Sequence, residues 1–227
     1  MTPLLSIVLP VHNQADHIAR VVRDYRAALS GLPRFELLMV ENGSADGSRA
    51  ACAALAAEDP AQRLVVTERA GWGHAVRLGI QAARGEWIAY ANSARTTGGD
   101  LRRLIDEALA GPLAVVKADR RSRQSALRRF GSALYNMEAR LLFGVTQRDV
   151  NATPKVFPRQ FSALLALRRD DDLIDLEFCA VCRRESYPVR EVPVLSDARH
   201  GGRSTTRLRS ALRLYRGALA LRRQLDA

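Results

Sequence analysis

From Phe35 to Val40 every residue except Glu36 is apolar or aromatic, and the run stops abruptly at Glu41. A short apolar run that ends in a polar turn reads as a strand buried on both faces. A glycine-bearing turn follows (Asn42-Gly43-Ser44-Ala45), and Asp46 and Ser48 stand where they can cap the Ala-rich helix expected from Ser48 to Ala57. A buried strand leading through a tight turn into a helix is a unit of a parallel sheet. It sets Glu41 at the carboxyl edge, where open α/β sheets bind their ligands. The segment Leu5-Ser-Ile-Val-Leu-Pro10-Val11-His12-Asn13 repeats the pattern one unit earlier. Side by side, these two strand ends form the floor of a nucleotide site.

Strand and helix patterns then alternate through the first half of the chain. Strands are expected at Leu4–Leu9, Phe35–Val40, Arg63–Thr67, Trp87–Ala91 and Leu113–Ala118. Helices are expected at Asp16–Leu29, Ser48–Ala57, Gly73–Ala83 and Asp100–Ala110. That alternation predicts an α/β fold, a doubly wound and mostly parallel sheet flanked by helices. Beyond Lys117 the texture changes. A basic stretch from Asp119 to Arg129 leads into a long helical segment through Phe143, and a loop follows around Asp149 to Pro158. The acidic segment Asp170 to Glu177 precedes or opens a helix carrying Cys179 and Cys182, and Val189 to Leu195 reads as a last strand. No internal repeat or low-complexity linker interrupts the chain.

The 227 residues, 47% hydrophobic and 26% charged, suit a single domain with a substantial core. No apolar run reaches the length of a membrane span, and the first residues lack the basic-then-apolar pattern of a signal peptide. Three cysteines are too few for a disulfide framework, so a reducing cytoplasm is expected. The formal charge of +11 is carried almost wholly by arginine, because Lys117 and Lys155 are the only lysines. Such a balance calls for an anionic partner: a phosphate-bearing substrate, an acidic membrane surface or nucleic acid. No nucleic-acid-binding motif accompanies the basic patches, which sets that class last. An arginine-rich genome is an alternative source of the Arg-over-Lys bias.

Several segments in the same order resemble the family 2 glycosyltransferases, which have the GT-A fold. They are Pro10-Val11-His12-Asn13-Gln14, Glu41-Asn42-Gly43-Ser44-Ala45-Asp46-Gly47-Ser48, Gly71-Trp72-Gly73-His74-Ala75, and Ala82-Ala83-Arg84-Gly85-Glu86-Trp87-Ile88-Ala89-Tyr90. The second half is similar to the branch that makes dolichyl- or polyprenyl-phosphate sugars. The matching features are Arg129-x-x-Ser132, Asp149 with Lys155-Val156-Phe157, Asp175-Leu176-Glu177, Glu191-Val192-Pro193 and Arg199-His200-Gly201-Gly202-Arg203-Ser204. The resemblance implies a glycosyltransferase domain over residues 1–204, divided into a nucleotide-sugar half (1–118) and an acceptor half (119–204). Residues 205–227 are expected to form a basic amphipathic tail helix.

The resemblance also implies roles. Pro10, Val11, Asn13, Glu41, Gly71, Gly73, Asn92 and Lys117 would bind a nucleotide-diphosphate sugar, with Glu41 accepting from the base or ribose. Glu41 as a solvated strand-end residue, and Asn13 as a cap of the helix entering at Asp16, are the plainer readings of those two. His12 and His74 are read as pocket walls. Asn92, Arg95 and Asp175 would serve catalysis. Asp175 is a base if the acceptor is a hydroxyl, or with Glu177 an orienter of arginines. Arg121, Arg129, Ser132 and Arg199 would bind the acceptor, with Arg120 and Arg128 beside them; a merely solvated basic face is the alternative. One departure matters. Asn92-Ser93-Ala94 stands where relatives carry Asp-x-Asp, whose carboxylates hold the Mg or Mn ion that bridges the diphosphate. No metal ligand is assigned here: Asn92 keeps one neutral oxygen and Ala94 none, so an Mg or Mn ion would be held only weakly, and Arg95 offers a guanidinium in its place. Cys179 and Cys182, with no second pair, read as buried thiols rather than a zinc site.

The expectation is thus an inverting transferase that moves a sugar from its nucleotide diphosphate to polyprenyl phosphate. Transfer to a soluble acceptor and a catalytically inactive nucleotide-sugar-binding protein are the alternatives. In the tail, Leu208, Leu212, Tyr215 and Leu219 make one apolar stripe among arginines. It would lie peripherally on the inner face of an anionic membrane, or pack on the parent domain or on a second copy in a homo-oligomer.

Overall fold

Every residue of the first strand, β1 (Leu5–Val11), is buried, as is every residue of β2 (Phe35–Asn42) after Phe35. These continuous apolar runs form the centre of a parallel sheet with a layer of helices on each face. The computed structural model describes residues 4–32, 34–121, 137 and 139–195, with Arg121 and Leu195 described by backbone alone. The further strands are β3 (Gln62–Thr67), β4 (Trp87–Tyr90), β5 (Val115–Arg121), β6 (Lys155–Pro158) and β7 (Val189–Leu195). The helices are α1 (Ile18–Leu29), α2 (Ser48–Glu58), α3 (Trp72–Ala82), α4 (Gly98–Ala110) and α5 (Ile174–Arg184), with a 3-10 turn at Ser162–Ala166.

The strand order is β3-β2-β1-β4-β6-β5-β7, with β6 antiparallel to both of its neighbours. Chain progression reverses between β1 and β4, so a crevice opens there at the carboxyl edge. Val8 accepts from the N–H of Ala91 at 3.1 Å just past the end of β4. By alternation Pro10 is turned to the same side, where β4 has already ended and no donor is needed.

Two apolar layers hold the helices. On one face α1 presents Ile18, Val21, Val22, Tyr25 and Leu29 at helical spacing to Leu101, Leu104 and Ile105 of α4. Thr97 begins α4 by accepting from the N–H of Asp100 at 3.0 Å. On the other face α3 and α5 pack over Val8, Leu38, Val40 and Tyr90. Glu36, the one charge in the β2 run, lies at the far end of the strand. There it takes Ser6 Oγ at 2.5 Å and Arg63 at 2.6 Å.

The alternation in the first half is present as expected, with most element ends shifted by one or two residues. The segment read as a loop up to Pro158 contains β6, a four-residue strand bounded by Pro154 and Pro158 and too short for periodicity to reveal. The strand expected to end at Ala118 continues as β5 to Arg121 because β7 pairs with it along its whole length. The acidic segment opens α5, which starts at Ile174. Residues 139–143 are helical, in agreement with the end of the long helical segment. The rest of the expected helix, and the tail from residue 205, lie outside the described residues.

Candidate functional site

The loops after β1 and β2 bracket each other. Three successive N–H groups of the β1 loop donate to side chains of the β2 loop: Asn13 to Ser44 Oγ at 3.0 Å, Gln14 to Ser48 Oγ at 2.7 Å, and Ala15 to Asp46 Oδ2 at 3.1 Å. Asn13 answers by accepting from Ala45 N–H at 2.8 Å, from a backbone with φ of 52°. Its side chain therefore joins two loops and does not cap α1, whose N-terminus has no side-chain cap. Asp46 does accept from Ser48 N–H at the entrance of α2, at 2.9 Å. Its pKa is raised by burial, but the bonds from Ser48 and Ala15 outweigh that and hold it below the ordinary value.

Glu41 is fully buried at the end of β2. Oε1 accepts from Ser44 N–H at 2.7 Å, and Oε2 accepts from Arg49 Nε at 3.0 Å. Burial pushes its pKa up, yet Ser44 and Arg49 prevail and leave it lowered. Both carboxylate oxygens thus meet groups of the chain itself. Asn42, which sequence reasoning passed over, joins three segments. Its Nδ2 donates to Val11 O at 2.8 Å, and its Oδ1 accepts from Gly71 N–H at 3.0 Å. His12 Nδ1 donates to the carbonyl of Asn42 at 2.8 Å. Pro10 and Val11 are buried directly beneath.

Gly71 and Gly73 begin α3 against the loop that precedes α5. A Cβ on Gly71 would stand 2.8 Å from the carbonyl oxygen of Asp170, and one on Gly73 the same distance from that of Arg169. Their lack of a side chain serves this close approach. His74 contacts Thr67 Oγ1 at 3.2 Å and Asp170 at 3.4 Å, and Arg69 and Arg77 each reach Asp170 at 2.7 Å.

At the end of β4 the chain turns on Asn92. Its Oδ1 accepts from Ala94 N–H at 3.0 Å, and its carbonyl accepts from Arg95 N–H at 3.0 Å and Thr96 N–H at 2.8 Å. Ser93 Oγ donates to Gln14 Oε1 at 2.6 Å, tying this turn to the β1 loop across the crevice. Arg95 is half-buried on the turn. The donor set does not fit the divalent ion of the fold family. Asn92 offers one amide oxygen that already faces its own loop, Ser93 is committed to Gln14, and Ala94 has no donor. Among the described residues no three of His, Cys, Asp and Glu converge to hold a metal.

Beneath this turn lies an ionic cluster. Asp175, in the first turn of α5 and 4% exposed, takes the ammonium of Lys155. It also accepts Tyr90 Oη at 2.9 Å and Trp72 Nε1 at 3.0 Å. Lys155 sits among the rings of Tyr90 and Phe178, 5.2 and 5.4 Å from their centroids. Burial, then the Asp175 charge, drives the Tyr90 phenol well above its ordinary pKa, so it stays a donor. Lys117, expected at a strand end, is inside β5 and fully buried. It donates to the carbonyls of Ala118 and Asp149 at 2.9 and 2.7 Å and to Glu191 at 3.0 Å. Arg120, expected among the acceptor-binding arginines, grips Asp149 with two bonds of 2.8 and 3.0 Å. Burial raises the Asp149 pKa, and Arg120 more than offsets it.

The structure therefore brings together Pro10, Val11, Asn13, Glu41, Gly71 and Gly73, joins the Asn92 turn to them through the Ser93–Gln14 bond, and links Asp175 through Trp72. Lys117 belongs to a separate cluster with Asp149 and Glu191. The Arg121 backbone ends β5, while Arg129, Ser132 and Arg199 lie outside the described residues. The roles of Asn42, Gln14, Tyr90 and Lys155 were missed. The clearest unread signal is that both lysines of an arginine-rich chain fall within short apolar runs. All three cysteines are buried, and burial pushes the Cys52 thiol up to about 12.

Residues 6–187 match the model of the glycosyl transferase family 2 family. The chain belongs to glycosyl transferase family 2. This family 2 chain is 28% identical over 206 residues to an undecaprenyl-phosphate 4-deoxy-4-formamido-L-arabinose transferase of Pseudomonas fluorescens (strain Pf0-1), covering 88% of this chain and 59% of that protein. It is 33% identical over 190 residues to the succinoglycan biosynthesis protein ExoO of Rhizobium meliloti, covering 75% and 52%. The chain thus spans little more than half the length of the curated relatives it matches. Among solved structures, glucosyl-3-phosphoglycerate synthase of Mycobacterium tuberculosis, in complex with Mn2+, UDP and glucosyl-3-phosphoglycerate, superimposes with a TM-score of 0.73 at 19% identity. That match covers 97% of this family 2 chain and 80% of the synthase. A further mycobacterial protein gives 0.75, covering 97% and 74%. The fold is GT-A.

Proposed function

We propose that this chain transfers a sugar from a nucleotide-diphosphate sugar to a polyprenyl-phosphate acceptor, with inversion at the sugar carbon. The observation that carries the reading is the crevice between β1 and β4, walled by the interlocked loops of Asn13, Glu41, Asn42 and Gly71 and by the Asn92 turn. It lies at the switch point of the sheet in a fold whose solved neighbour holds UDP. The relatives named for undecaprenyl phosphate support the acceptor class.

In this reading Pro10 and Val11 form the floor under the base. Asn13 and Glu41 hold the loop shape, and Gly71 and Gly73 let the α3 entrance close on the donor. Asn92 and Arg95 face the phosphates. Asp175 is a positioning residue for Trp72 and Tyr90, and Lys117 a positioning residue for the loop at Asp149. Arg121, Arg129, Ser132 and Arg199 meet the acceptor phosphate. A phosphate acceptor is already ionised at neutral pH and attacks without a strong base, which agrees with Asp175 being paired to Lys155. The chain would work peripherally at the cytoplasmic face of the membrane. No helix among the described residues is long and apolar enough to cross one.

The test is release of nucleoside diphosphate from a panel of nucleotide sugars, with and without undecaprenyl phosphate in detergent. Release that depends on the lipid is expected. Release that depends instead on a soluble phosphate such as phosphoglyceric acid would move the acceptor to that class. No acceptor-dependent release with any donor would sink the transferase reading. Arg129→Ala is expected to raise the lipid requirement while nucleotide affinity stays near normal.

A further inference from the structure

A donor diphosphate brings two to three negative charges into the crevice, and something must meet them. A bridging divalent ion needs anionic oxygens from the protein. At the Asn92 turn the side-chain oxygens are neutral: the Asn92 amide, which accepts from Ala94 N–H, the Ser93 hydroxyl, which donates to Gln14, and the buried Thr96 hydroxyl. The carboxylates of the site described above are matched by the chain itself. Asp175 holds Lys155, Tyr90 and Trp72, and Glu41 holds Ser44 N–H and Arg49. Asp149 holds Arg120 bidentately, and Asp170 holds Arg69 and Arg77. Drawing any of them to a metal would leave a cation or a buried donor without its partner. The turn also carries a cation, Arg95, half-buried and engaged with a partner of its own in this structure, which an incoming phosphate would replace. It is the fourth residue of the turn, its backbone held by the N–H bond to the Asn92 carbonyl at 3.0 Å. A guanidinium neutralises a phosphate with two parallel bonds and needs no ion.

Resting on the donor reading above, we propose that this chain holds the donor diphosphate without a divalent metal, with Arg95 as the phosphate-binding cation at the place where the fold family uses a carboxylate-held ion. The double replacement Asn92→Asp with Ala94→Asp then becomes a way to build the ion site back. It places two carboxylates two residues apart on an existing turn, facing the same phosphates.

The experiment is calorimetric titration of the full chain with uridine, guanosine, adenosine, cytidine and thymidine diphosphates, each in excess EDTA and in excess Mn2+. For the nucleotide that binds, the two affinities are expected to agree within about threefold. Arg95→Ala is expected to weaken binding in EDTA by roughly tenfold or more, the loss of a charge-assisted hydrogen bond, with Arg95→Lys keeping part of it. The Asn92→Asp/Ala94→Asp variant is expected to bind worse than wild type in EDTA and to recover with Mn2+. Circular dichroism and thermal unfolding establish that each variant is folded. If Arg95→Ala does not fold, the wild type and the double variant decide the matter between them. A wild-type affinity that falls tenfold or more in EDTA overturns the metal-free proposal and leaves the donor reading standing, as does an unchanged affinity in folded Arg95→Ala. Absence of binding by every nucleotide in both conditions overturns the donor reading, and the proposal with it.

Discussion

At one level of the sheet Leu38 and Val8 lie side by side on β2 and β1, and Tyr90, Lys155, Lys117 and Glu191 continue the row across β4, β6, β5 and β7. The row begins as an apolar surface and ends as an ionic one. Under the β1 and β2 loops, burial of aliphatic side chains does the holding. It has no direction and tolerates changes of similar volume. The polar work there is done above the sheet by amides, hydroxyls and backbone N–H groups. Under the β5 and β6 end, two ammonium groups with no solvent exposure sit among carbonyls and carboxylates. Their burial is costly and is offset only while every partner is present. A lysine suits this place because its compact charge can serve three separate acceptors, as Lys117 does. The comparison teaches that one end is held by directionless apolar burial, which leaves its loops open to the proposed donor, and the other by charges that must keep every partner.

Removing one member of the ionic row is the hardest blow to that contrast. Lys155→Met leaves the Asp175 carboxylate buried against Tyr90 and Trp72 with no cation. It is expected to cost about 3–5 kcal/mol in urea unfolding. Lys155→Met with Asp175→Leu should recover most of that loss, because the desolvated charge leaves with its partner. Lys117→Met should cost less, since the Glu191 side chain is 22% exposed and water can reach it. Equal losses for the single and double Lys155 variants would show that packing, not charge, holds this end.

Asn42→Ala strikes the other end. The buried amide joins Val11 O to Gly71 N–H, and its removal leaves those groups without partners. The expected cost is about 1–3 kcal/mol, smaller because no charge is stranded. It should also lower nucleoside diphosphate affinity, which Lys117→Met should leave nearly unchanged. An Asn42→Ala protein as stable as wild type would mean that the loops hold their shape without this bond.

Acid should discriminate within the loops. Glu41, Asp149 and Asp170 are each raised by burial and lowered further by their partners, so their folded pKa values lie below the ordinary 4.5 of Glu and 3.8 of Asp. Stability from such groups is complete above those ordinary values and is lost as pH falls through the lowered ones. Unfolding free energy should therefore hold level down to about pH 4.5 and decline below it. Glu41→Gln, costing roughly 1 kcal/mol at neutral pH, should make the decline shallower. A slope unchanged by Glu41→Gln would assign the acid sensitivity to the other lowered carboxylates, Asp46, Asp149 and Asp170.

The apolar end of the row was legible in the sequence and the ionic end was not, for a physical reason. Phe35–Val40 and Leu5–Leu9 declare themselves because a strand buried on both faces has to be apolar throughout, and turn chemistry marks where each one stops. β6 is buried just as deeply, but four residues, preceded by one proline and ending in another, leave no period to detect, and its leading residue is a lysine. Lys117 was read as a strand end because charge ordinarily marks an edge. Its partners Asp149 and Glu191 are distant in sequence, and only the fold brings them close. The same limit applies to Arg120, whose guanidinium faces Asp149. In the loops, Asn13 and Glu41 stood out in the sequence as candidates for the proposed site. Their bonding to Ala45 and Arg49 depends on how β1 and β2 stand in register.

The smallest expected effect on stability belongs to Asn13, and it separates holding from reading most cleanly. Its side chain is exposed and accepts from Ala45 N–H at 2.8 Å, from a backbone at φ of 52°. Alanine there would confuse the lost bond with backbone strain, whereas glycine adopts that conformation freely. Asn13→Gly therefore removes the side chain's bonds, to Ala45 across the loops and to the neighbouring His12, without adding strain. Water can take over the Ala45 N–H, so the cost in urea unfolding should stay within about 1 kcal/mol. Nucleoside diphosphate affinity should fall by a larger factor than stability does, because the two loops would lose the registry that shapes the crevice. Asn13→Ala should weaken binding similarly and destabilise further. If Asn13→Gly leaves affinity untouched, the bracket between the two loops serves the fold alone, and the contrast between the two ends of the edge narrows accordingly.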